Sequence, residues 1–228
     1  MTSTLALDNV TPRQQHEPEV DLTSIIVTHR AMCTDLARFP AAVRDIAKEP
    51  VDEDRVDALV DYVTAFCAEL HRHHHYEDHV LWPLIVASAG DAINLDELEE
   101  DHAELDPMMM RVASALAAFS ENPSSSGTEL ADALQTLADH LIEHIGEEEA
   151  EMFPVIRRYV SARDFQWCES EHGAATDSFV LPWLMHYATS PERERLEAKS
   201  GLPERVLHGL AKDEFAKAEQ LIFGPLPT

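Results

Sequence analysis

A motif that occurs twice constrains the fold of this chain more than any other feature. The copies are HHHYEDHVLWPLI, beginning at His73, and HIGEEEAEMFPVI, beginning at His144. A histidine, a glutamate four residues on, a second acid, a large apolar residue, an aromatic residue, proline, an aliphatic residue and isoleucine share their offsets. One further histidine precedes each copy, His29 by 44 residues and His102 by 42. The simplest account is a duplicated helical hairpin, which gives four antiparallel helices with approximate two-fold symmetry.

Apolar residues that recur every three or four positions predict long helices from about residue 21, over 51–89, from about 96 and over 128–160. Few glycines and abundant Leu, Ala, Glu and Asp also favour helix. The predicted fold is all-α, an antiparallel up-down-up-down four-helix bundle at residues 21–160. A flexible N-terminal arm at residues 1–20 precedes it, and a C-terminal helical extension at 161–228 follows. Pro83 and Pro107 are expected to kink their helices, and residues 122–127 (NPSSSG) are expected to form the clearest loop.

Polar residues interrupt the apolar seams of these helices at equivalent positions, which are His29, His73, Glu77, His102, His144 and Glu148. Burying imidazoles and carboxylates without partners costs several kcal/mol or more, and bound metal ions remove that cost. Imidazole with carboxylate suits iron, manganese or zinc. Two facing carboxylates could bridge two metals, an arrangement that particularly suits di-iron. Histidines held by hydrogen bonds in the core are the alternative.

The order of these residues resembles the hemerythrin-like domains, also called HHE cation-binding domains, over roughly residues 21–160. The resemblance implies a four-helix bundle with a non-haem di-iron centre, and iron in preference to zinc or manganese. It implies that Glu77 and Glu148 bridge the irons. His29 and His73 would then ligate one iron, and His102 and His144 the other.

The chain departs from the family pattern at three places. Asp106 stands where oxygen-carrying hemerythrins have a fifth histidine ligand. Their last ligand lies five residues after its histidine, which points to Glu149, whereas the internal repeat favours Glu148. Some members use an acid directly after the second-helix histidine, where this chain has His74. Asp106 and His74 are therefore candidate extra ligands, and a carboxylate in place of imidazole makes reversible oxygen carriage doubtful.

The remaining histidines of the first motif region, His71, His75 and His79, lie off the inward stripe. We expect them to be solvated or to support the ligands. Trp82 and Phe153 are expected to pack the end of the bundle.

A net charge of −26 makes nucleic acid and anionic membranes poor partners. Three widely spaced cysteines, with no CxxC, indicate neither a disulfide framework nor a cysteine zinc site. No leader or transmembrane run is recognised, so we expect a soluble cytoplasmic protein. A protein partner cannot be named from the sequence.

These observations predict a metal-binding protein that binds or senses a small oxidant or gas, namely oxygen, nitric oxide or peroxide. Two alternatives use the same centre. One is a di-iron enzyme that removes peroxide or nitric oxide, and the other is an iron- or oxygen-responsive regulatory module whose C-terminal segment reports occupancy.

Overall fold

The computed structural model describes residues 10–171 and 178–224, with the backbone alone for 202–208. The described residues form helices and connections without a β-strand. The α-helices are α1 (Thr23–Ile46), α2 (Glu53–Tyr76), α3 (Trp82–Ala89), α4 (Asp96–Glu121), α5 (Pro123–Tyr159), α6 (Ala162–Glu171), α7 (Val180–Tyr187), α8 (Ser190–Lys199) and α9 (Leu202–Phe223). The all-α prediction is confirmed at this level. No helix within the described ranges is long and apolar enough to cross a membrane.

α1 continues beyond Pro40, although the apolar pattern that predicts this helix ends before that proline. The helix continues through that proline to Ile46, and Phe39, Val43 and Ile46 are all buried. Proline removes one hydrogen bond from a helix interior. Burial of the apolar side chains on both sides of Pro40 offsets that loss, so the helix does not stop there.

A π-helical turn, Glu77–Leu81, joins α2 to α3. The backbone N–H of Trp82 bonds the carbonyl of Glu77, five residues back, as a π-turn requires. Pro83 follows in the first turn of α3, where a missing N–H costs little. The kink predicted at Pro83 is therefore a π-turn just before the proline, and this turn contains Glu77 of the first motif.

The loop predicted at residues 122–127 is wrong. α4 ends at Glu121 and α5 begins at Pro123, which leaves Asn122 alone between them. Proline is favoured at the start of a helix because its fixed φ angle suits that position. The N–H of Ser126 bonds the carbonyl of Asn122 at 3.1 Å, so the polar segment forms the first turn of α5.

The chain divides into two compact units. The first contains the described parts of Met1–Leu22, His71–Ala103 and Glu143–Ala174. The second contains the described parts of Thr23–Leu70, Glu104–Ile142 and Ala175–Thr228. α6 therefore belongs to the first unit, and α7, α8 and α9 belong to the second. The division predicted from the sequence, with boundaries at residues 20 and 160, stays a prediction.

The predicted N-terminal arm includes residues 1–9, which lie outside the described residues. In the first unit, Arg13 attaches the following stretch to the end of α5. Its backbone N–H bonds the carbonyl of Tyr159 at 2.8 Å, and its guanidinium donates to the carbonyl of Arg157 at 2.9 Å. The last carbonyls of a helix have no partner within the helix, and a cation stabilises them. Arg13 therefore caps α5.

The second unit contains a cluster of aromatic rings beside the buried carboxylate of Asp35. Phe39 packs edge-on to Phe66, with ring centroids 5.2 Å apart. Asp35 of α1 is fully buried and accepts hydrogen bonds from four side chains: Tyr62 Oη at 2.9 Å, Trp183 Nε1 at 2.7 Å, the guanidinium of Arg38 at 3.3 Å and the hydroxyl of Tyr187. These bonds join α7 to α1 and α2 within the unit.

Candidate metal centre

The last turns of α2 and the π-turn place three predicted residues of the first motif at buried positions. His73, His74 and Glu77 are 3%, 6% and 0% exposed. Residues four apart share a helix face, and His73 Nε2 lies 2.9 Å from Glu77 Oε1. The helix itself therefore brings an imidazole nitrogen and a carboxylate oxygen together, as the sequence predicts for this pair.

Three imidazoles form a second group in the same unit. His74, His102 and His144 are buried, and each offers a ring nitrogen within 4.8 Å of those of the other two. His102 Nε2 and His144 Nε2 are 3.0 Å apart. Two nitrogens bound side by side to one metal at about 2.0–2.1 Å lie roughly 3 Å from each other. The spacing therefore fits a shared cation.

Carboxylates hold the opposite nitrogens of two of these rings. Asp78 Oδ1 lies 2.8 Å from His102 Nδ1, and Asp101 Oδ2 lies 3.3 Å from His144 Nδ1. A carboxylate only accepts hydrogen bonds, so each Nδ1 carries the hydrogen. In a neutral imidazole, Nε2 then presents a lone pair. The carboxylate–histidine pairing is the one that metal-binding imidazoles commonly show.

The two Nε2 lone pairs face each other across 3.0 Å, which is repulsive unless a cation lies there. Protonation of His144 or of His74 is disfavoured at this place. Burial and the neighbouring His102 lower the pKa of His144 from its usual 6.5 to about 4. Burial likewise holds the pKa of His74 well below 6.5. A metal ion bound by the neutral imidazoles resolves the repulsion, so the residues present fit a metal.

Glu77 lies between its histidine partner and the three-imidazole group. Its Oε1 is close to His73 Nε2, as given above, and its Oε2 lies 3.9 Å from His102 Nε2. One oxygen of the Glu77 carboxylate thus faces His73, and the other faces the three-imidazole group. Glu77 could therefore offer an oxygen to a cation held by either group.

Burial separates the two acids that competed for the second bridging position. Glu148, one turn after His144 on α5, is 1% exposed, whereas Glu149 is half-buried. Burial is what a bridging role for Glu148 requires. Its identity as a ligand stays a prediction.

The other two predicted ligands belong to the second unit. His29 is 1% exposed on α1, in agreement with its place in the apolar stripe. Asp106 is exposed on α4. The roles of both residues as ligands stay predictions from the sequence. His71, His75 and His79 are exposed, as expected for positions off the inward stripe.

Trp82, at the start of α3, covers one of the imidazoles. Its ring stacks on that of His102, with centroids 4.3 Å apart and planes at 24°. Trp82 is 2% exposed, and its indole N–H has no hydrogen-bond partner in the described part of the chain. The sequence predicts Trp82 as packing at a bundle end, and its packing partner is this imidazole.

Sequence reasoning assigned no role to the two carboxylates that hold the imidazoles. Asp78 is the second acid of the repeated motif, and Asp101 directly precedes His102. The sequence shows only that each of these acids is adjacent to a predicted ligand. It does not show which of them contacts an imidazole. Asp101 ends a run of acids in the first turns of α4, where a solvated carboxylate and a supporting one look alike.

The sequence of the chain matches a family of cation-binding domains. The family model of the hemerythrin HHE cation-binding domain matches residues 22–156, more than half of the chain. No significant match was found among curated proteins or among solved structures. The domain is a metal-binding helical domain, and its His and Glu groups can hold metal. With its buried imidazoles and carboxylates, this chain belongs to the hemerythrin HHE cation-binding family.

Proposed function

We propose that the protein is a non-haem di-iron protein that binds or senses a small oxidant or gas, namely oxygen, nitric oxide or peroxide. The observation that carries the proposal is the convergence of His102 Nε2 and His144 Nε2 at 3.0 Å. The Nδ1 atoms of the same rings face Asp78 and Asp101. His73, Glu77 and Glu148 complete the proposed centre, together with His29. The proposed architecture is the up-down-up-down bundle of the sequence prediction.

The donor set is compatible with iron, which the match to the hemerythrin family favours. Imidazole nitrogens and carboxylate oxygens suit iron, manganese and zinc, and a carboxylate placed to serve two cations favours a pair of them. Bound iron supplies redox chemistry and an open coordination position. The residues of the chain supply charge and orientation. Glu77 would contribute a negative charge to bound cations, and Asp78 and Asp101 keep Nε2 of their imidazoles turned toward the centre.

The burial of the centre supports a small ligand. The histidines of the three-imidazole group and the two glutamates are at most 8% exposed. Trp82 covers one face of His102. A bulky substrate would have to displace these side chains, whereas a diatomic gas or peroxide needs little room. The proposal therefore concerns a ligand of two or a few atoms.

Metal analysis with a visible absorption spectrum tests the proposal on the purified protein. A di-iron centre predicts about two irons per chain and a spectrum that changes when air or peroxide is admitted. Less than one iron per chain, or stoichiometric zinc, would contradict it. Rapid gas evolution on addition of peroxide would indicate turnover, whereas a reversible spectral change with oxygen would indicate binding.

A further inference from the structure

Three histidines outside the buried centre lie on the solvent side of the same helical turns. His71, His75 and His79 are spaced four residues apart and are all exposed. A helix holds side chains four residues apart at about 5–6 Å between Cβ atoms, so one ion can be reached by either adjacent pair but not by all three histidines. The ring centroids of His71 and His75 lie 6.4 Å apart, and those of His75 and His79 lie 4.1 Å apart.

The tautomer of His79 is fixed by the backbone. Its Nδ1 lies 2.9 Å from the carbonyl oxygen of His75. A carbonyl only accepts hydrogen bonds, so Nδ1 is the donor, and Nε2 of the neutral ring keeps its lone pair. Metal-binding imidazoles are commonly held in this way by a backbone carbonyl. His79 is thus prepared as a nitrogen ligand before any ion binds.

We propose that His75 and His79 form a surface site for a divalent first-row metal ion such as Cu²⁺, Zn²⁺ or Ni²⁺. Imidazole nitrogens suit these ions. Exposed side chains change rotamer readily, so the His75 ring can turn a nitrogen onto an ion bound at His79 Nε2 while His79 keeps its hydrogen bond to the backbone. The net charge of −26 raises the local concentration of cations around the protein. The site uses none of the residues of the buried centre.

Copper titration of the full-length protein tests the site. Cu²⁺ is added to the protein as purified, its affinity and stoichiometry are measured by calorimetry, and nitrogen coordination is read from the electron paramagnetic resonance spectrum. Wild type is compared with the double variant His75→Ala/His79→Ala. We expect the double variant to lose one equivalent of bound copper, or to bind it at least tenfold more weakly. His71→Ala leaves the His75–His79 pair intact and should retain this equivalent of copper.

His16→Ala is the matched control, because His16 is exposed and has no histidine four residues away on either side. The control should bind copper as wild type does. An equal loss in the control, or wild-type binding by the double variant, would overturn the proposal. Iron content is measured before and after titration, because copper uptake matched by iron release would place the ion in the buried centre and also count against the surface site. All buried ligands are intact in these variants, so loss of the surface site leaves the di-iron proposal standing.

Discussion

At the scale of single residues, the three-imidazole group depends on the carboxylates that contact two of its rings. Asp78 and Asp101 fix the hydrogen on Nδ1 of His102 and His144, and this turns two buried histidines into two converging lone pairs. Without the carboxylates, either ring could donate to the other and the pair would be an ordinary hydrogen bond. The contacts of these two acids therefore favour a metal ion between the rings, although neither acid is a predicted ligand.

Replacing Asp78 with alanine tests this reasoning. The substitution removes the acceptor for His102 Nδ1–H, so the ring can rotate or change tautomer. Loss of such a supporting partner typically costs 10- to 100-fold in metal affinity. We expect a loss of this size in a chelator-competition assay, with the helix content unchanged by circular dichroism. Asp91→Ala, at an exposed acid in the turn after α3, is the control, and an equal effect there would contradict the assignment.

The second bridging carboxylate is tested by a pair of adjacent substitutions on α5. Glu148→Gln removes the charge from a buried side chain, whereas Glu149→Gln does so at a half-buried one. A neutral amide is a poor substitute for a bridging carboxylate, so Glu148→Gln should abolish the di-metal content measured by elemental analysis. Glu149→Gln should retain it. The reverse result would show that the register assigned to the second motif is wrong.

The repeat predicts the buried pattern of the two motifs but not their difference. His74 is buried with His102 and His144, whereas the equivalent position of the second copy is Ile145. A symmetric prediction assigns equal ligand sets to the two copies. The structure instead gathers three imidazoles into one group. The sequence shows that His74 and Ile145 occupy equivalent positions. The direction in which each side chain points depends on the local helix geometry, which the sequence does not show.

At the scale of elements, the same motif is carried by two kinds of helix. The first copy runs through the π-turn, whereas the second lies within α5, which continues past Pro154 to Tyr159. Periodicity predicts both as helices and places prolines at equivalent offsets. Periodicity does not predict which copy forms the π-turn, because both copies contain the same aromatic-Pro tail. The loop predicted at residues 122–127 failed for a related reason, since turn-forming residues also start helices.

Gly127 allows two elements of the second unit to approach closely, and this can be tested. A Cβ placed at Gly127 of α5 would lie 2.5 Å from Cβ of Ala47, just beyond the end of α1. Gly127→Ala should therefore lower the free energy of unfolding by about 1–3 kcal/mol, as overpacking does. The measurement is urea unfolding followed by circular dichroism.

Gly146 of the same helix is the matched control, because a Cβ there meets nothing within 4 Å. Alanine at an open helix position is favoured over glycine by roughly 0.5–1 kcal/mol. The two substitutions should thus have opposite signs in one helix. If Gly127→Ala is neutral or stabilising, the close approach of Gly127 to Ala47 is not what the chain adopts.

For the molecule as a whole, pH acts through a buried acid that has no part in the proposed metal centre. Burial is the main cause that raises the pKa of Asp35 from 3.8 to about 6, against the hydrogen bonds from Tyr187, Trp183 and Tyr62, which lower it. Glu219 of α9 raises the pKa further and shares the Tyr62 hydroxyl, at 3.0 Å. Arg38, on α1, contacts both carboxylates.

A raised pKa fixes the sign of the stability change. The folded chain holds a proton on Asp35 more tightly than the unfolded chain, so the contribution is complete below pH 3.8 and is lost as the pH rises through about 6. A shift of about two units corresponds to roughly 3 kcal/mol at most. We therefore expect the free energy of unfolding of wild type to fall between pH 4 and pH 7 by more than that of Asp35→Asn, which cannot titrate.

Urea unfolding of both proteins in the same metal state, at several pH values across this window, measures the difference. The comparison between variants is necessary because the large negative charge of the chain also favours the folded state at low pH, and that contribution is common to both proteins. Asp61→Asn, at an exposed carboxylate of α2, should follow the wild-type dependence. Parallel curves for wild type and Asp35→Asn would mean that Asp35 stays ionised throughout. Its charge would then be fully compensated by Arg38 and the three other hydrogen-bond donors, and the polar core of the second unit would be insensitive to pH.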